Sequence, residues 1–287
     1  MKIDICSDLH LEFGNVDLKV FDNPENHQVL VLGGDITLAN AFKTEETSPR
    51  SARIARDTRA LFAHVNDRYD AVIYLMGNHE HYHGNFATSE KILREELTDA
   101  FNNVYFLEKE WVTIPDKEFG GIVTFVGGTL WTNFDSGNEH LMRRAEYMMN
   151  DYASRNSARD VVKEDGSVAS GYLKANDTYE DHGKMFDTIA AVAGSIPDGR
   201  VVVCTHHAPT TKSLRPDEWP DAEIHNFYHS DLDRFIENNP SIKLWTHGHT
   251  HAQYEHIIGN AIVACNPRGY IGHQRIADHF ALKTYEI

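Results

Sequence analysis

Cysteine is scarce in this chain, and basic residues are outnumbered by acids. The three cysteines, Cys6, Cys204 and Cys265, stand far apart in apolar runs. That excludes a disulfide scaffold and a CxxC zinc site, and it fits a reducing cytoplasm. No apolar run approaches the roughly 18 residues needed to cross a bilayer, because charges and glycines interrupt every candidate. The N-terminus meets Asp4 and Asp8 too early to hold a signal peptide's apolar segment. Lys+Arg number 27 against 43 Asp+Glu, for a formal charge of −16. An acid excess of that size repels nucleic acid and anionic lipid at long range, so neither an extended nucleic-acid surface nor a membrane partner is expected. Repeats, low-complexity tracts and proline-rich linkers are also missing. With 287 residues, 41% of them apolar, the chain reads as one domain over residues 1–287 with a proper core.

Histidine, by contrast, is plentiful, at 18 residues. Nine of them (His10, His79, His81, His83, His206, His207, His247, His249, His251) fall in four short stretches. Around these stretches, apolar and β-branched runs recur at 3–6, 29–32, 71–76, 122–126, 201–204, 243–245, 261–265 and 281–287, each readable as a buried strand. Helical patterns at 51–66, 89–101, 139–152, 179–193 and 231–237 separate many of them. The alternation predicts an α/β fold with sheets covered by helices. Two more polar stretches, about 133–183 and 210–230, break the rhythm and read as insertions. Arg50, Arg53, Arg56 and Arg59 recur every third residue, which reads as a solvated helix face. Tyr147, Met148 and Met149 read as core packing.

Five of the strands are followed by polar residues of one chemical kind. These are Asp8-Leu9-His10, Gly34-Asp35, Gly77-Asn78-His79-Glu80, His206-His207-Ala208-Pro209, and His247-Gly248-His249-Thr250-His251. In open α/β sheets ligands gather beyond the carboxyl ends of strands, so the five loops can meet at one site. Carboxylates, an amide oxygen and imidazoles are ligands for divalent Mn, Fe or Zn. An extended chain would point both members of Asp8-x-His10, and of His249-x-His251, to one face. Glycines at Gly34, Gly77 and Gly248 would let the backbone turn towards the metals. Taken singly, each segment has an ordinary explanation, such as a cap, a turn or a satisfied core histidine. Their order, each after a strand, is what carries the argument.

In these segments, which run from residue 8 to residue 251, the chain resembles the calcineurin-like metallophosphoesterases. Gly128-Thr129-Leu130-Trp131-Thr132 and Asn266-Pro267-Arg268-Gly269-Tyr270 add to the likeness. The resemblance implies two mixed β-sheets packed as a sandwich, flanked by helices, with a dinuclear metal centre at the strand ends. By position, it implies that Asp8, His10 and His251 hold one metal, that Asp35 bridges, and that Asn78, His206 and His249 complete the other. It makes His79 the catalytic acid or transition-state stabiliser. The two divalent ions would be Mn, with Fe, Zn or Ni also fitting, and a hydroxide between them would attack phosphorus in line. His207 and Arg268 are candidate substrate contacts, and His247 is a buried neighbour. Glu80, His81 and His83 read as an ordinary polar loop. Many members carry an aspartate three residues after the bridging one to support the histidine; here that residue is Leu38. The substrate expected is a small phosphomonoester, phosphodiester or nucleotide. The alternatives are a protein phosphatase and a catalytically silent binding or scaffold protein on the same fold.

Overall fold

The computed structural model describes residues 1–153, 156–163, 166–214 and 221–287. In chain order its strands are β1 (Lys2–Cys6), β2 (Val29–Gly33), β3 (Ala71–Leu75), β4 (Gly84–Asn85), β5 (Val104–Phe106), β6 (Glu110–Pro115) and β7 (Ile122–Gly128). They continue with β8 (Ser157–Val162), β9 (Val168–Tyr172), β10 (Val201–Thr205), β11 (Ile242–His247), β12 (Tyr254–Ile258), β13 (Ala261–Cys265) and β14 (Lys283–Glu286). Among the described residues they form three sheets, ordered β14-β1-β2-β3-β5, β12-β13-β11-β10-β7-β6 and β4-β8-β9. The interior strands of both larger sheets run parallel, and β14, β6 and β12 close their edges antiparallel.

Parallel strands covered on both faces must be apolar at every position. β2, β3 and β10 are accordingly buried throughout. Alternate side chains then serve two cores. Ile3, Ile5, Val31, Ile73 and Leu75 of the first sheet meet Phe125, Val202, Cys204 and Leu244 of the second. On the far face of the first sheet, Leu30, Leu32, Val72 and Tyr74 pack beneath Leu61, Phe62 and Val65 of the helix Pro49–Asn66. On the far face of the second, Val201, Val203, Trp245 and Val263 pack beneath Met185, Ile189 and Val192 of the helix Ala175–Ser195. The result is a sandwich of two mixed sheets flanked by helices, as the resemblance implied. All eight expected strands are present, while β5, β6 and β12 extend the sheets beyond them. β6 and β12 are edge strands largely open to solvent, with only Ile114 and Ile258 buried, and polar residues such as Thr113, Glu255 and His256 break their apolar runs.

The polar stretch 133–183 contains the helix Glu139–Met148, a 3₁₀ turn Asn150–Tyr152 and the β8–β9 hairpin. Its apolar residues Leu141, Tyr152 and Leu173 join Trp131, Phe134 and Phe227 in a cluster of their own. Residues 154–155, 164–165 and 215–220, within the two stretches read as insertions, lie outside the described residues. Tyr147 and Met148 depart from the expected core packing and are exposed. Arg53 departs from the solvated face, since its guanidinium donates to the carbonyls of Leu11 (2.9 Å) and Glu12 (3.1 Å). No helix among the described residues is long and apolar enough to cross a membrane.

Phe125 sits fully buried between the sheets. Phe125→Ala should therefore destabilise the protein by about 3–5 kcal/mol through lost transfer energy and a residual cavity. Urea unfolding should show a lower midpoint with an unchanged slope; a loss below about 1 kcal/mol would mean that the inter-sheet core collapses around the gap.

Candidate metal centre

Because β1, β2, β3, β10 and β11 run parallel within their sheets, their carboxyl ends deliver five loops to one end of the sandwich. The loops interlock by backbone hydrogen bonds. Asp8 N–H donates to Gly34 O (2.9 Å), His10 N–H to Asp35 O (2.8 Å) and Gly248 N–H to His206 O (2.9 Å). Asp8, His10, Asp35, His249 and His251 all have left-handed backbones, with φ of 53°, 46°, 54°, 67° and 49°. The extended-chain reading of the two pairs is therefore corrected: left-handed turns at each member swing the side chains inward. The glycine reading also needs a correction. Only Gly34 takes a positive φ, of 85°. Gly77 and Gly248 are needed for close approach, since a Cβ there would lie 2.7 Å from His206 Nε2 and 2.6 Å from Asp8 Oδ2 respectively.

Three groups of candidate ligands emerge: Asp8 with His10 and His251, Asp35 with His206 and His249, and His10 with Asp35 and His79. In the first, His10 Nε2 and His251 Nε2 lie 3.0 Å apart, and His251 Nε2 is 3.2 Å from Asp8 Oδ1. In the second, Asn78 Oδ1 lies 3.2 Å from His206 Nε2 and 3.1 Å from His249 Nδ1. Asp35 Oδ2 is 3.3 Å from His206 Nε2 and 3.7 Å from His10 Nε2, so one carboxylate faces both groups. All seven residues are brought together.

Their outer partners fix which atoms face inward. His10 Nδ1 pairs with Glu12 Oε1 (3.0 Å), His251 Nδ1 with Gln274 Oε1 (2.7 Å) and His206 Nδ1 with Gly33 O (2.9 Å). Each partner is an acceptor, so each Nδ1 keeps its proton, and each ring when neutral presents its Nε2 lone pair inward. Asn78 Nδ2 donates to Asp151 Oδ1 (2.7 Å), which turns the amide oxygen towards His206 and His249. His10 Nε2 and His251 Nε2 then face each other as acceptors at 3.0 Å, while the second proton of His206 lies towards Asp35, where a metal would displace it. A divalent cation satisfies that arrangement, so the donor set fits the ions the resemblance implied.

Electrostatics agree in sign. Burial pushes the Asp35 carboxyl up, but the surrounding imidazoles, His206 first, hold it well below the usual range. Burial disfavours the His206 imidazolium, yet Asp35 and Asp8 outweigh it and raise this histidine to about 10. Burial likewise opposes the His79 imidazolium, and Asp35 with Glu12 raises it to about 9. His249, buried among other imidazoles, is held well below its ordinary value.

His79 stands beside this set, its N–H donating to Asp35 Oδ1 (2.8 Å) and its Nδ1 2.8 Å from Glu12 Oε1. Its Nε2 faces Tyr270 Oη at 3.3 Å, and its ring stacks on Tyr82 at 4.2 Å. The two candidate substrate contacts are placed elsewhere. His207 is buried behind His249, its ring 4.0 Å away, and its Nδ1 faces Thr129 O. Arg268 is buried, and its guanidinium donates to the carbonyls of Leu9 (2.8 Å), Gly14 (3.2 Å) and Asn15. Neither residue is among those that line the cleft. Buried His247 bonds Ser213 Oγ at 2.9 Å. Glu80 and His81 are buried, correcting the polar-loop reading, whereas His83 is exposed. Glu80 accepts from the N–H groups of Asp35 (2.9 Å), Ile36 (2.8 Å) and Gly77 (2.7 Å), binding two ligand loops together.

Sequence reasoning missed Glu12, Gln274 and Asp151. The first stands two residues beyond His10, a spacing that was available; the other two approach only through the fold. The site opens into a cleft of about 660 Å³ lined by, among others, Phe13, Tyr82, Tyr228, Tyr270 and Met149, with Arg50 the one Lys or Arg of its wall among the described residues.

Comparison with known proteins agrees with this geometry. The model of the calcineurin-like phosphoesterase family matches residues 1–253. An uncharacterized protein of Acanthamoeba polyphaga mimivirus is 26% identical, over 94% of this chain and 91% of its own. A phosphopantetheinyl hydrolase from Mycobacterium tuberculosis superposes with a TM-score of 0.60 at 17% identity, covering 94% of this chain and 89% of its own. A dimetal phosphatase from Danio rerio does so at 0.55 and 12% identity, covering 99% and 91%.

Two expectations follow from the outer partners. Asp151→Ala frees the Asn78 amide to flip, so metal affinity measured by calorimetry should fall about 10–100-fold with the fold intact. Unchanged affinity would show that Asn78 is oriented without it. The second concerns protons. In the metal-free protein His206 carries a proton up to about pH 10, and a ligand must be neutral to bind. Metal binding should therefore release at least one proton at pH 7.5, and affinity should rise with pH towards 9. Titrations in buffers of different ionisation enthalpy measure this; pH-independent affinity would place His206 outside the ligand set.

Proposed function

Because the chain belongs to the calcineurin-like phosphoesterase family, we propose that it hydrolyses a small phosphomonoester, phosphodiester or nucleotide at this site, with two divalent ions and His79. The observation that carries the proposal is Asp35, a single buried carboxylate placed between two groups of histidine and carboxylate ligands at the ends of both sheets. In this reading Asp8, His10 and His251 hold one ion, and Asn78, His206 and His249 the other, with Asp35 shared. Manganese suits the mixed oxygen and imidazole set; iron, zinc and nickel suit it too. The chemistry such ions supply when bound is Lewis acidity towards phosphoryl oxygens and a lowered pKa for water.

The protein's own groups do the rest. His79 holds a proton on Nδ1 against Glu12 and turns Nε2 to the cleft, where it can protonate the leaving oxygen or stabilise charge on the phosphoryl group. Tyr82 stacks against the ring and limits its rotation. Aromatic rings and Met149 line the cleft, which suits an organic leaving group. A cleft wall with one arginine among the described residues, on a chain of net charge −16, favours a small ester over a long polyanion such as nucleic acid. Three buried cysteines, each a thiol and none in a disulfide, suit the reducing cytoplasm proposed as its compartment.

The test is turnover of p-nitrophenyl phosphate and bis-p-nitrophenyl phosphate with Mn²⁺, and its loss with chelator. Metal-loaded, folded protein that cleaves neither ester would favour the silent scaffold reading. His79→Asn should keep the metal and lower kcat about 10²–10⁴-fold on an alkyl ester, the usual worth of general acid catalysis. The loss should be smaller on a p-nitrophenyl ester, whose leaving group needs no proton. An equal loss on both would make His79 a phosphoryl-oxygen ligand and not the acid.

A further inference from the structure

The proposed role of His79 raises the matter of what holds its ring, because position 38, where the resemblance led one to look for a supporting aspartate, is a buried leucine. Leu38 packs against Ala41, Ile54 and Tyr82 and offers no acceptor. The carboxylate that reaches His79 comes from the opposite direction. Glu12 Oε1 lies 2.8 Å from His79 Nδ1 and 3.0 Å from His10 Nδ1, while the two rings stand 4.5 Å apart at 70°. Glu12 Oε2 is buried and has no hydrogen-bond partner. The loop that presents Glu12 is itself tied down, by Arg53 on the carbonyls of Leu11 and Glu12 and by Arg268 on the carbonyl of Leu9.

We infer that Glu12 is the positioning residue for His79. It fixes the Nδ1 proton of the ring and thereby aims Nε2 at the cleft, in place of a carboxylate at position 38. One oxygen accepts from both His10 and His79, so the orientation of the histidine and the seating of a metal ligand share one anchor. The inference rests on the phosphoesterase reading for its catalytic consequence but not for its geometry. A wandering His79 ring would lower kcat without altering how substrate binds, and would matter only where the leaving group needs a proton. A group that merely shored up the fold would not discriminate between leaving groups.

The test uses the full chain with Glu12→Ala and Glu12→Gln. NMR of ring N–H groups in the metal-free protein provides a readout that needs no activity. The downfield resonance of His79 Nδ1–H, identified by its loss in His79→Asn, should vanish in Glu12→Ala. It should persist but move upfield in Glu12→Gln, where the acceptor is no longer charged. At saturating Mn²⁺, Glu12→Ala should lower kcat on an alkyl phosphoester about 10–100-fold, the usual range for an outer partner of a site. It should lower kcat less on p-nitrophenyl phosphate, leave KM near the wild-type value, and be largely rescued by glutamine. An unaltered ring N–H in Glu12→Ala overturns the inference. So does an equal loss on both esters in proportion to lost metal, which would make Glu12 a support for His10 alone. Should the alanine variant not fold, an unshifted resonance in Glu12→Gln overturns it as well. Wild-type protein that turns over neither ester would defeat the phosphoesterase reading and leave the NMR result to decide the role of Glu12.

Discussion

His10 Nε2 and His251 Nε2 face each other at 3.0 Å while both rings have already placed their Nδ1 protons on other acceptors. Two lone pairs held that close repel unless a cation lies between them, and the surrounding fold is what keeps them there. Asn78 Oδ1 is held in the same way between His206 Nε2 and His249 Nδ1, at 3.2 and 3.1 Å. Such crowding explains why the loops are stitched so heavily. Glu80, buried beneath them, accepts backbone protons from both the β2 and β3 loops. Burial first, and then Asp35, raise Glu80 to about 7. A carboxylate kept there in spite of burial indicates how much the two loops depend on a common acceptor.

Left-handed backbone at five of the seven candidate ligands has the same origin. A non-glycine residue at positive φ costs on the order of 1 kcal/mol or more, and it persists only where neighbours over-determine it. Here the turns are short enough to let Asp8 and His10 reach the same space from one loop, and His249 and His251 from another. Strain accumulates where ligands must converge, which is the usual relation between such outliers and function.

The interior of the fold was legible because strands covered on both faces leave an unbroken apolar signature, as β2, β3 and β10 do. Edge strands leave none: β12 alternates Tyr254, Glu255, His256 and Ile257, and only its end is buried. The candidate ligands were legible as a set because each follows such an apolar strand with a residue type of restricted chemistry. What sits one layer out was not. Gln274 and Asp151 look like any polar loop residue, and only the fold brings them to His251 and Asn78. Arg268 shows the converse failure. A cation near a phosphate site suggests an anion contact, but its donors can be taken up by carbonyls, and no local pattern distinguishes the two. Backbone geometry was illegible for a different reason, since Asp-x-His has the same sequence in an extended and in a left-handed turn.

The polar stretch 133–183 is tied to the candidate metal site more tightly than an insertion that only shapes a rim. Met148, Met149 and Asn150 line the cleft, and the next residue, Asp151, holds the amide of Asn78. Tyr82 Oη also approaches Asp151, at 3.2 Å, and the Tyr82 ring stacks on His79. Cleft wall, candidate ligand and the His79 ring are therefore linked through one buried carboxylate, which desolvation raises above its ordinary pKa. A substrate that displaces the 148–150 segment would move the acceptor that orients Asn78. Substrate fit and metal geometry are in this way coupled through the chain itself, so changes in the wall are expected to alter the metal centre as well as the affinity for substrate.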